Sequence, residues 1–355
     1  MLDIYFSALY NATLGIFLKE LLQRLTTLIV IISLCLKLID FNQFVLYYII
    51  SQSLPSLFIV IALINEKQFF LKPNFDFIDK LMLKEIIDIS AFGLIGGFSS
   101  IAIANIDSIM INAFVDLEST GIYGITFFFG TLIVIPARTI RKIVIPLLSD
   151  AWKEGEMENI KELYYKSSKY QFLIGALVLV GIWANIHNVF SFIPKEYEAG
   201  KYVIFFIGLA NLFEILIGVG STIIITSEFY RMQAYIGIIL IVLAIIYNLI
   251  FIPILGLTGA AIASSISMLS VFLIRYLFLW NKFKFQPLKI DHFYIVVVAI
   301  FCFLFSKRIP IQNNFIIDIL IRSSIILILY FTLLFLLKTF SDLNGIIKGY
   351  IKKHI

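Results

Sequence analysis

Ten apolar stretches, each near the roughly 17–25 residues needed to cross a bilayer, dominate this sequence. Hydrophobic residues make up 61% of the 355 residues and charged residues 14%, against about 25% charged in soluble domains. The stretches lack the alternation of barrel strands, and a bilayer requires every backbone polar group to be satisfied internally. We therefore predict an all-α polytopic membrane protein of about ten spans at 22–39, 43–64, 86–112, 121–137, 170–193, 201–227, 233–252, 258–280, 292–306 and 315–337.

The distribution of Lys and Arg predicts which side of the membrane each connection faces. If ten spans leave both termini in the cytoplasm, all but six of the 28 Lys and Arg side chains lie on the cytoplasmic side, which is the usual bias. The bilayer therefore accounts for the net charge of +5, and we expect no nucleic-acid partner. The six basic residues assigned to the outer side are Lys37, Lys195, Lys201, Lys307, Arg308 and Arg322.

Two features of the sequence argue against an enzyme. Its three histidines are scattered, and it contains neither the spaced Cys and His pairs of metal sites nor a Gly-rich nucleotide loop followed by Lys. The outer connections, such as 113–120 and 194–200, are short and leave no room for an external active site. We therefore predict no catalytic residue, no metal site and no cofactor. We also expect no signal peptide, because residues 1–20 have no basic start and no cleavage site.

Glu214 is the acidic residue deepest within a predicted span. It lies about thirteen residues into the sixth span, roughly 20 Å along a helix and thus near the bilayer midplane. On a continuous helix, Asn211, Glu214, Gly218 and Ser221 would share one face. An ionisable group at this depth is costly and usually faces a cavity. We therefore favour a cavity-lining face over a structural hydrogen bond to a neighbouring helix.

Asp107 is the second acidic residue within a span, nearer the predicted outer end. It shares a helical face with the small residues Gly93, Gly97, Ser100 and Ala104. Small residues let neighbouring helices approach closely, and Gly93-x-x-x-Gly97 is itself a packing motif. Two interpretations stay open here, helix packing around a paired aspartate and a role in a cavity.

Other polar residues within or beside the spans have simpler explanations. Arg138 and Arg141 follow Pro136 at a cytoplasmic span end, where anchoring is expected, although a guanidinium also suits phosphate. Asp318 and Arg322 have helical spacing, so we expect mutual neutralisation. We predict that Asn248 bonds to a neighbouring helix. The polar run 150–169 is predicted to be a helical cytoplasmic connector.

Several local patterns occur in a recognisable order. Asp107-Ser-Ile-Met-Ile-Asn-Ala-Phe precedes Gly121-Ile-Tyr-Gly124, then Ile135-Pro-Ala-Arg138 and Ile145-Pro-Leu-Leu-Ser149. The eighth span opens with Asn248-Leu-Ile-Phe-Ile-Pro-Ile-Leu-Gly-Leu-Thr-Gly-Ala-Ala-Ile-Ala263. This series resembles the polysaccharide and O-antigen flippases of the multidrug, oligosaccharidyl-lipid and polysaccharide exporter superfamily.

The resemblance implies two six-helix lobes around a central cleft, often followed by two further helices. It implies a partial first lobe at 1–66 that lacks four helices, a complete lobe at 86–280 and two additional spans at 292–338. The expected function is movement of a polyprenyl-diphosphate-linked oligosaccharide across the bacterial cytoplasmic membrane by alternating access. Other membrane proteins of polysaccharide assembly would be its partners.

Candidate site residues follow from the resemblance and the charges together. Arg138 and Arg141 are candidates for binding the diphosphate, and Glu214, Asp107, Asn211 and Ser221 are candidates for substrate binding or ion coupling. Three alternatives are a drug/cation antiporter of the same superfamily, a membrane glycosyltransferase or polymerase, and a truncated remnant without function.

Overall fold

The computed structural model describes residues 18–65 and 79–339. At 19–20, at several positions of 81–104 and at 142–143 this description covers the backbone alone. The expectation that residues 1–20 form no signal peptide falls mainly on residues 1–17, which lie outside this description. Residues 340–355 and the close packing predicted at Gly93, Gly97, Ser100 and Ala104 lie outside it as well. Every element among the described residues is helical, and six helices are long and apolar enough to cross a membrane. The chain is an all-α polytopic membrane protein, as predicted. It divides into two compact units, Met1–Leu83 and Lys84–Ile355.

The first unit contains a helical hairpin held together by polar side chains. A short π-helix, Leu18–Leu22, leads into α1 (Gln23–Cys35), which packs against α2 (Phe41–Asn65). The Ser51 hydroxyl is 2.7 Å from the Thr26 hydroxyl and 3.0 Å from that of Thr27. Such interhelical hydrogen bonds are the contacts that join helices in lipid, where apolar burial gives no net attraction.

The second unit contains the remaining predicted spans. Each predicted range from 86 onward holds a helix. The ranges 121–137, 170–193 and 201–227 are each divided between successive helical elements, and the break in 201–227 is described below. The elements are α3 (Lys80–Phe114), α4 (Leu117–Thr131), a 3-10 turn (Leu132–Val134), α5 (Ile135–Glu154), α6 (Met157–Ala184), α7 (Ile186–Phe192), a 3-10 turn (Lys195–Gly200), α8 (Lys201–Leu216), α9 (Gly220–Thr226), α10 (Tyr230–Phe283), α11 (Ile290–Ser306) and α12 (Phe315–Leu336). The connector predicted at 150–169 is helical, as the end of α5 and the start of α6.

The 54 residues of α10 form two helices that turn back on each other at Gly256. This residue has φ +56° and ψ −130°, far from helical values. The two helices lie against each other beside this turn, since a Cβ placed on Gly259 would be 2.1 Å from the carbonyl oxygen of Phe251. In a straight helix Phe251 and Gly259 would be about 12 Å apart. The turn reproduces the two separate spans predicted at 233–252 and 258–280.

The sixth predicted span is broken, which corrects the expectation of one continuous helix over 201–227. Its two parts, α8 and α9, are separated at Gly218, which has φ +59°. Ser221 therefore does not continue the helical face of Asn211 and Glu214. Only glycine fits the break, because a Cβ there would lie 2.6 Å from the backbone nitrogen of Ser168.

Two serines of α6 satisfy the backbone groups that the break exposes. The Ser168 hydroxyl donates to the Leu216 carbonyl at 2.5 Å, and the Val219 N–H donates to the Ser167 hydroxyl at 3.2 Å. Both serines are buried. A helix break inside a membrane bundle is tolerated when side chains satisfy the freed polar groups in this way.

The last two helices are joined to the middle of α6 by polar contacts. Lys169 of α6 pairs with Asp291 of α11 at 3.2 Å. The hydroxyl of the adjacent Ser168 lies 3.0 Å from Nε2 of His292, also in α11. The Tyr330 hydroxyl donates to the Leu173 carbonyl at 2.9 Å. The α11–α12 pair is therefore packed as part of the second unit.

A buried ion pair completes this attachment beyond the end of α6. Arg322 donates to Asp318 at 3.1 Å, and both residues are almost fully buried. Asp318 also accepts hydrogen bonds from Asn188 at 2.6 Å and from the backbone of Gln312 at 3.0 Å. The predicted mutual neutralisation of Asp318 and Arg322 is confirmed, and the pair also binds α12 to α7.

Candidate functional site

Arg141 and Glu214 form an ion pair between α5 and α8. The guanidinium Nη2 of Arg141 lies 3.1 Å from Oε1 of Glu214. Their side chains are 24% and 28% exposed, so the pair is neither sealed in the bundle nor fully open. From the sequence we predicted Arg141 at a cytoplasmic span end and Glu214 near the midplane. The structure brings them together, and Glu214 lies four residues before the break at Gly218.

Arg275 and Tyr164 belong to the same cluster. Arg275, in the second helix of α10, lies close enough to Glu214, Arg141 and Tyr164 for electrostatic interaction. The cluster therefore contains two guanidinium groups for one carboxylate. Its excess positive charge would be balanced by an anionic ligand.

Three polar atoms of this cluster are buried without a hydrogen-bond partner among the described residues. They are the Nε atoms of Arg141 and Arg275 and the hydroxyl of Tyr164. Buried donors are nearly always paired in folded proteins, so unpaired ones call for an explanation. Planar guanidinium groups can donate two bonds at once to a phosphate or carboxylate. The cluster is thus suited to bind an anion with several oxygen atoms.

Gln171 adds an unpaired amide on the same helix face as Tyr164. It is 1% exposed, and neither its oxygen nor its nitrogen has a hydrogen-bond partner in the described part of the chain. Seven residues separate it from Tyr164, which places both on one face of α6, two turns apart. An amide can both donate and accept, so it is suited to a hydroxyl-rich ligand.

Sequence reasoning missed Arg275, Tyr164 and Gln171. Arg275 was counted among the cytoplasmic Lys and Arg side chains. Because α10 continues to Phe283, Arg275 instead lies about two turns before the end of that helix. Gln171 lies within an apolar predicted span, and its polar side chain there was the one feature of the sequence that could have identified it as a candidate site residue. Nothing in the sequence around Tyr164 distinguishes it from the other sixteen tyrosines.

Asn211, Arg138 and Ser221, which were also predicted for the site, form no hydrogen bond or ion pair with this cluster among the described residues. Asn211 donates to the carbonyls of Gly130 and Ile207, at 3.2 and 2.9 Å, so it binds α8 to α4. Arg138 is exposed and Ser221 partly buried, and neither forms a hydrogen bond or ion pair with another described residue. Their proposed roles stay predictions.

Asp107 forms a second, separate site. It is 1% exposed and accepts hydrogen bonds of 2.6 Å from Tyr123, Asn248 and Ser264. The predicted interhelical bond of Asn248 is therefore observed. All three donors are neutral, and Asp107 has no basic partner among the described residues. A carboxylate held only by neutral donors can exchange a proton or bind a cation.

The described residues contain no group of three or more His, Cys, Asp or Glu side chains that could hold a metal ion. No protein-family model and no curated protein matches this sequence. The geometry of the two sites therefore carries the functional argument.

Proposed function

We propose that this protein is a flippase that moves a polyprenyl-diphosphate-linked oligosaccharide across the bacterial cytoplasmic membrane for surface polysaccharide synthesis. The observation that carries the proposal is the positively charged cluster of Arg141, Arg275 and Glu214, set within an apolar helical bundle. Such a substrate combines an anionic diphosphate with many sugar hydroxyls and an apolar tail. The order of the sequence motifs and the short connections add support.

The cluster offers groups for two parts of this substrate. The two guanidinium groups would bind the diphosphate oxygens, for which their planar donors are matched. The unpaired hydroxyl of Tyr164 and amide of Gln171 would bind sugar hydroxyls. Glu214 pairs with Arg141, and a bound diphosphate would replace Glu214 as the partner of this guanidinium. Arg141 thereby keeps a partner of opposite charge inside the membrane.

The break between α8 and α9 supports an alternating-access mechanism. Broken helices near the midplane line the substrate sites of many transporters, whose two bundles rock about the bound ligand. Glu214 lies one turn from the break, so a change in its pairing would act on a segment without continuous helical hydrogen bonds. In this proposal, binding of the diphosphate changes the packing at Gly218.

Asp107 is the proposed site of ion coupling. Its carboxylate binds both helices of α10 through Asn248 and Ser264. A proton or cation at this carboxylate would compete with those two bonds. Ion binding would then alter the hairpin that turns at Gly256.

The alternatives fit the cluster less well. A drug/cation antiporter would need an excess of negative charge at its binding site, whereas two arginines here accompany one glutamate. A glycosyltransferase or polymerase would need an acidic site outside the membrane. A remnant without function would leave export unchanged on deletion, which makes it the direct competitor in the experiment below.

The test is export of lipid-linked sugar in cells that depend on this protein. We expect Arg141→Ala together with Arg275→Ala to abolish export, and Glu214→Gln to reduce it. Lys153→Ala is the matched control, since Lys153 lies exposed on α5 and away from the cluster. Protein levels in the membrane are measured for every variant. Export at the normal rate by the double arginine variant would contradict the proposal.

A further inference from the structure

A wholly separate feature is an apolar groove between α8 and α11, with α6 as its floor. Its volume is about 700 Å³, within the range of small-molecule sites, and every lining residue except Trp183 and Tyr202 has a purely apolar side chain. Along α6 it extends from Phe172 to Trp183. Tyr202 and Ile300, at 55% and 54% exposure, place its opening on the surface of the bundle.

Two lysines lie at one end of this groove. Lys201 Nζ is 6.0 Å from the ring centre of Trp183, and Lys307 Nζ is 4.9 Å from that of Phe303. Both rings line the groove. Both lysines are exposed, and neither forms a salt bridge with another described residue, although Glu198 precedes Lys201 by one turn. The groove thus has an apolar body and a cationic end.

We propose that the groove binds one acyl chain of an anionic phospholipid, whose phosphate lies at Lys201 and Lys307. This inference does not depend on the proposed function. It assigns a role to two of the six basic residues that the charge distribution places on the outer side of the membrane. Those residues run against the usual charge bias, so they need a local explanation.

The length of the groove matches a lipid in one leaflet. Trp183 follows Phe172 by eleven positions, which is about 16 Å of helix and close to half of the roughly 30 Å hydrocarbon core. Trp183 and Tyr202 lie at the lysine end, and such aromatic residues are typical of the membrane interface. The lysine end therefore lies at headgroup depth and the apolar body in the acyl region.

A membrane phospholipid fits this groove better than the tail of a transported substrate. In the proposed function the diphosphate binds at Arg141 and Arg275, and neither arginine lines the groove. A molecule whose phosphate lies at Lys201 and Lys307 is therefore a different one. The charge at the groove's end selects an anionic headgroup over a zwitterionic one.

Trp183 makes the proposal testable by fluorescence. The full chain with Trp152→Phe and Trp280→Phe retains Trp183 as its one tryptophan, since the sequence has three. It is reconstituted into phosphatidylcholine vesicles that contain either brominated phosphatidylglycerol or brominated phosphatidylcholine. Bromine on the acyl chain quenches a tryptophan that it contacts. We expect phosphatidylglycerol to bind more tightly by about fivefold for each lysine.

Lys201→Ala with Lys307→Ala should remove the preference for phosphatidylglycerol. Lys195→Ala is the matched control and should keep the preference. Lys195 is predicted to lie on the same side of the membrane, and among the described residues no hydrogen bond, ion pair or ring contact joins it to the groove. Equal quenching by the two lipids in the parent protein would overturn the proposal. Displacement of the brominated lipid by polyprenyl phosphate, but not by unbrominated phosphatidylglycerol, would also overturn it and assign the groove to a substrate tail.

Discussion

Asn248 and Ser264 donate to the same carboxylate, that of Asp107, each at 2.6 Å. A straight helix would separate these two residues by about 24 Å, so their convergence depends on the turn at Gly256. Asp107 thereby joins α3 to both helices of the hairpin.

Replacing Asp107 should weaken the second unit. In Asp107→Ala the donors from Tyr123, Asn248 and Ser264 lose their acceptor, and we expect the free energy of unfolding to fall by about 2 kcal/mol, at roughly 0.6 kcal/mol for each interhelical bond. Unfolding of the purified protein in mixed micelles measures the change. Asp150→Ala, at an exposed position, should have little effect; equal stability of both variants would show that the three bonds contribute nothing.

A side chain at Gly218 should destabilise the break. Gly218→Ala forces alanine into a left-handed conformation, which costs about 1–2 kcal/mol, and places its Cβ against the backbone of Ser168. Gly124→Ala is the matched control, since Gly124 lies inside α4 with no atom within 4 Å of an added Cβ. There alanine should be neutral or stabilising. Thermal unfolding compares the two, and the same melting temperature for both would contradict our account of the break.

The ion pair of Arg141 and Glu214 should show strong coupling. A double-mutant cycle with Arg141→Ala and Glu214→Ala measures the interaction free energy, which we expect to exceed about 1 kcal/mol because the pair is largely withdrawn from water. The pair of Lys161 and Glu158 has the same 3.1 Å separation but is much more exposed. Its cycle should give no more than about 0.5 kcal/mol. Similar values for the two pairs would mean that burial does not strengthen the inner one.

The spans could be predicted because a membrane helix is encoded locally. Length and apolar content decide whether a segment can cross a bilayer, and neither depends on distant residues. For the same reason the turn at Gly256 was predicted as a boundary between two spans. The predicted pair of Asp318 and Arg322 was also local, since it followed from helical spacing.

The candidate site could be predicted only in part, because its contacts join distant positions. Glu214 was identified from its cost inside a span, but its partners Arg141 and Arg275 lie on other helices. The break at Gly218 depends on Ser167 and Ser168, about fifty residues earlier. Nothing around Gly218 distinguishes it from a glycine that packs inside a continuous helix.

The buried pair of Asp318 and Arg322 leads to a prediction about single and double changes. Arg322→Leu alone leaves the Asp318 carboxylate buried beside His187 and Asn188 without its guanidinium partner, and we expect a loss of about 3–5 kcal/mol. Replacing both residues with leucine removes the unpaired charge as well, so the double variant should be more stable than the single one. Its remaining loss comes from His187, Asn188 and Gln312, which then have no carboxylate to bond to. The Ser306 and Ile309 carbonyls also lose the donor that Arg322 supplies. Unfolding of the three proteins measures this order, and a double variant less stable than Arg322→Leu would mean that contacts other than charge neutralisation dominate at this end of α12.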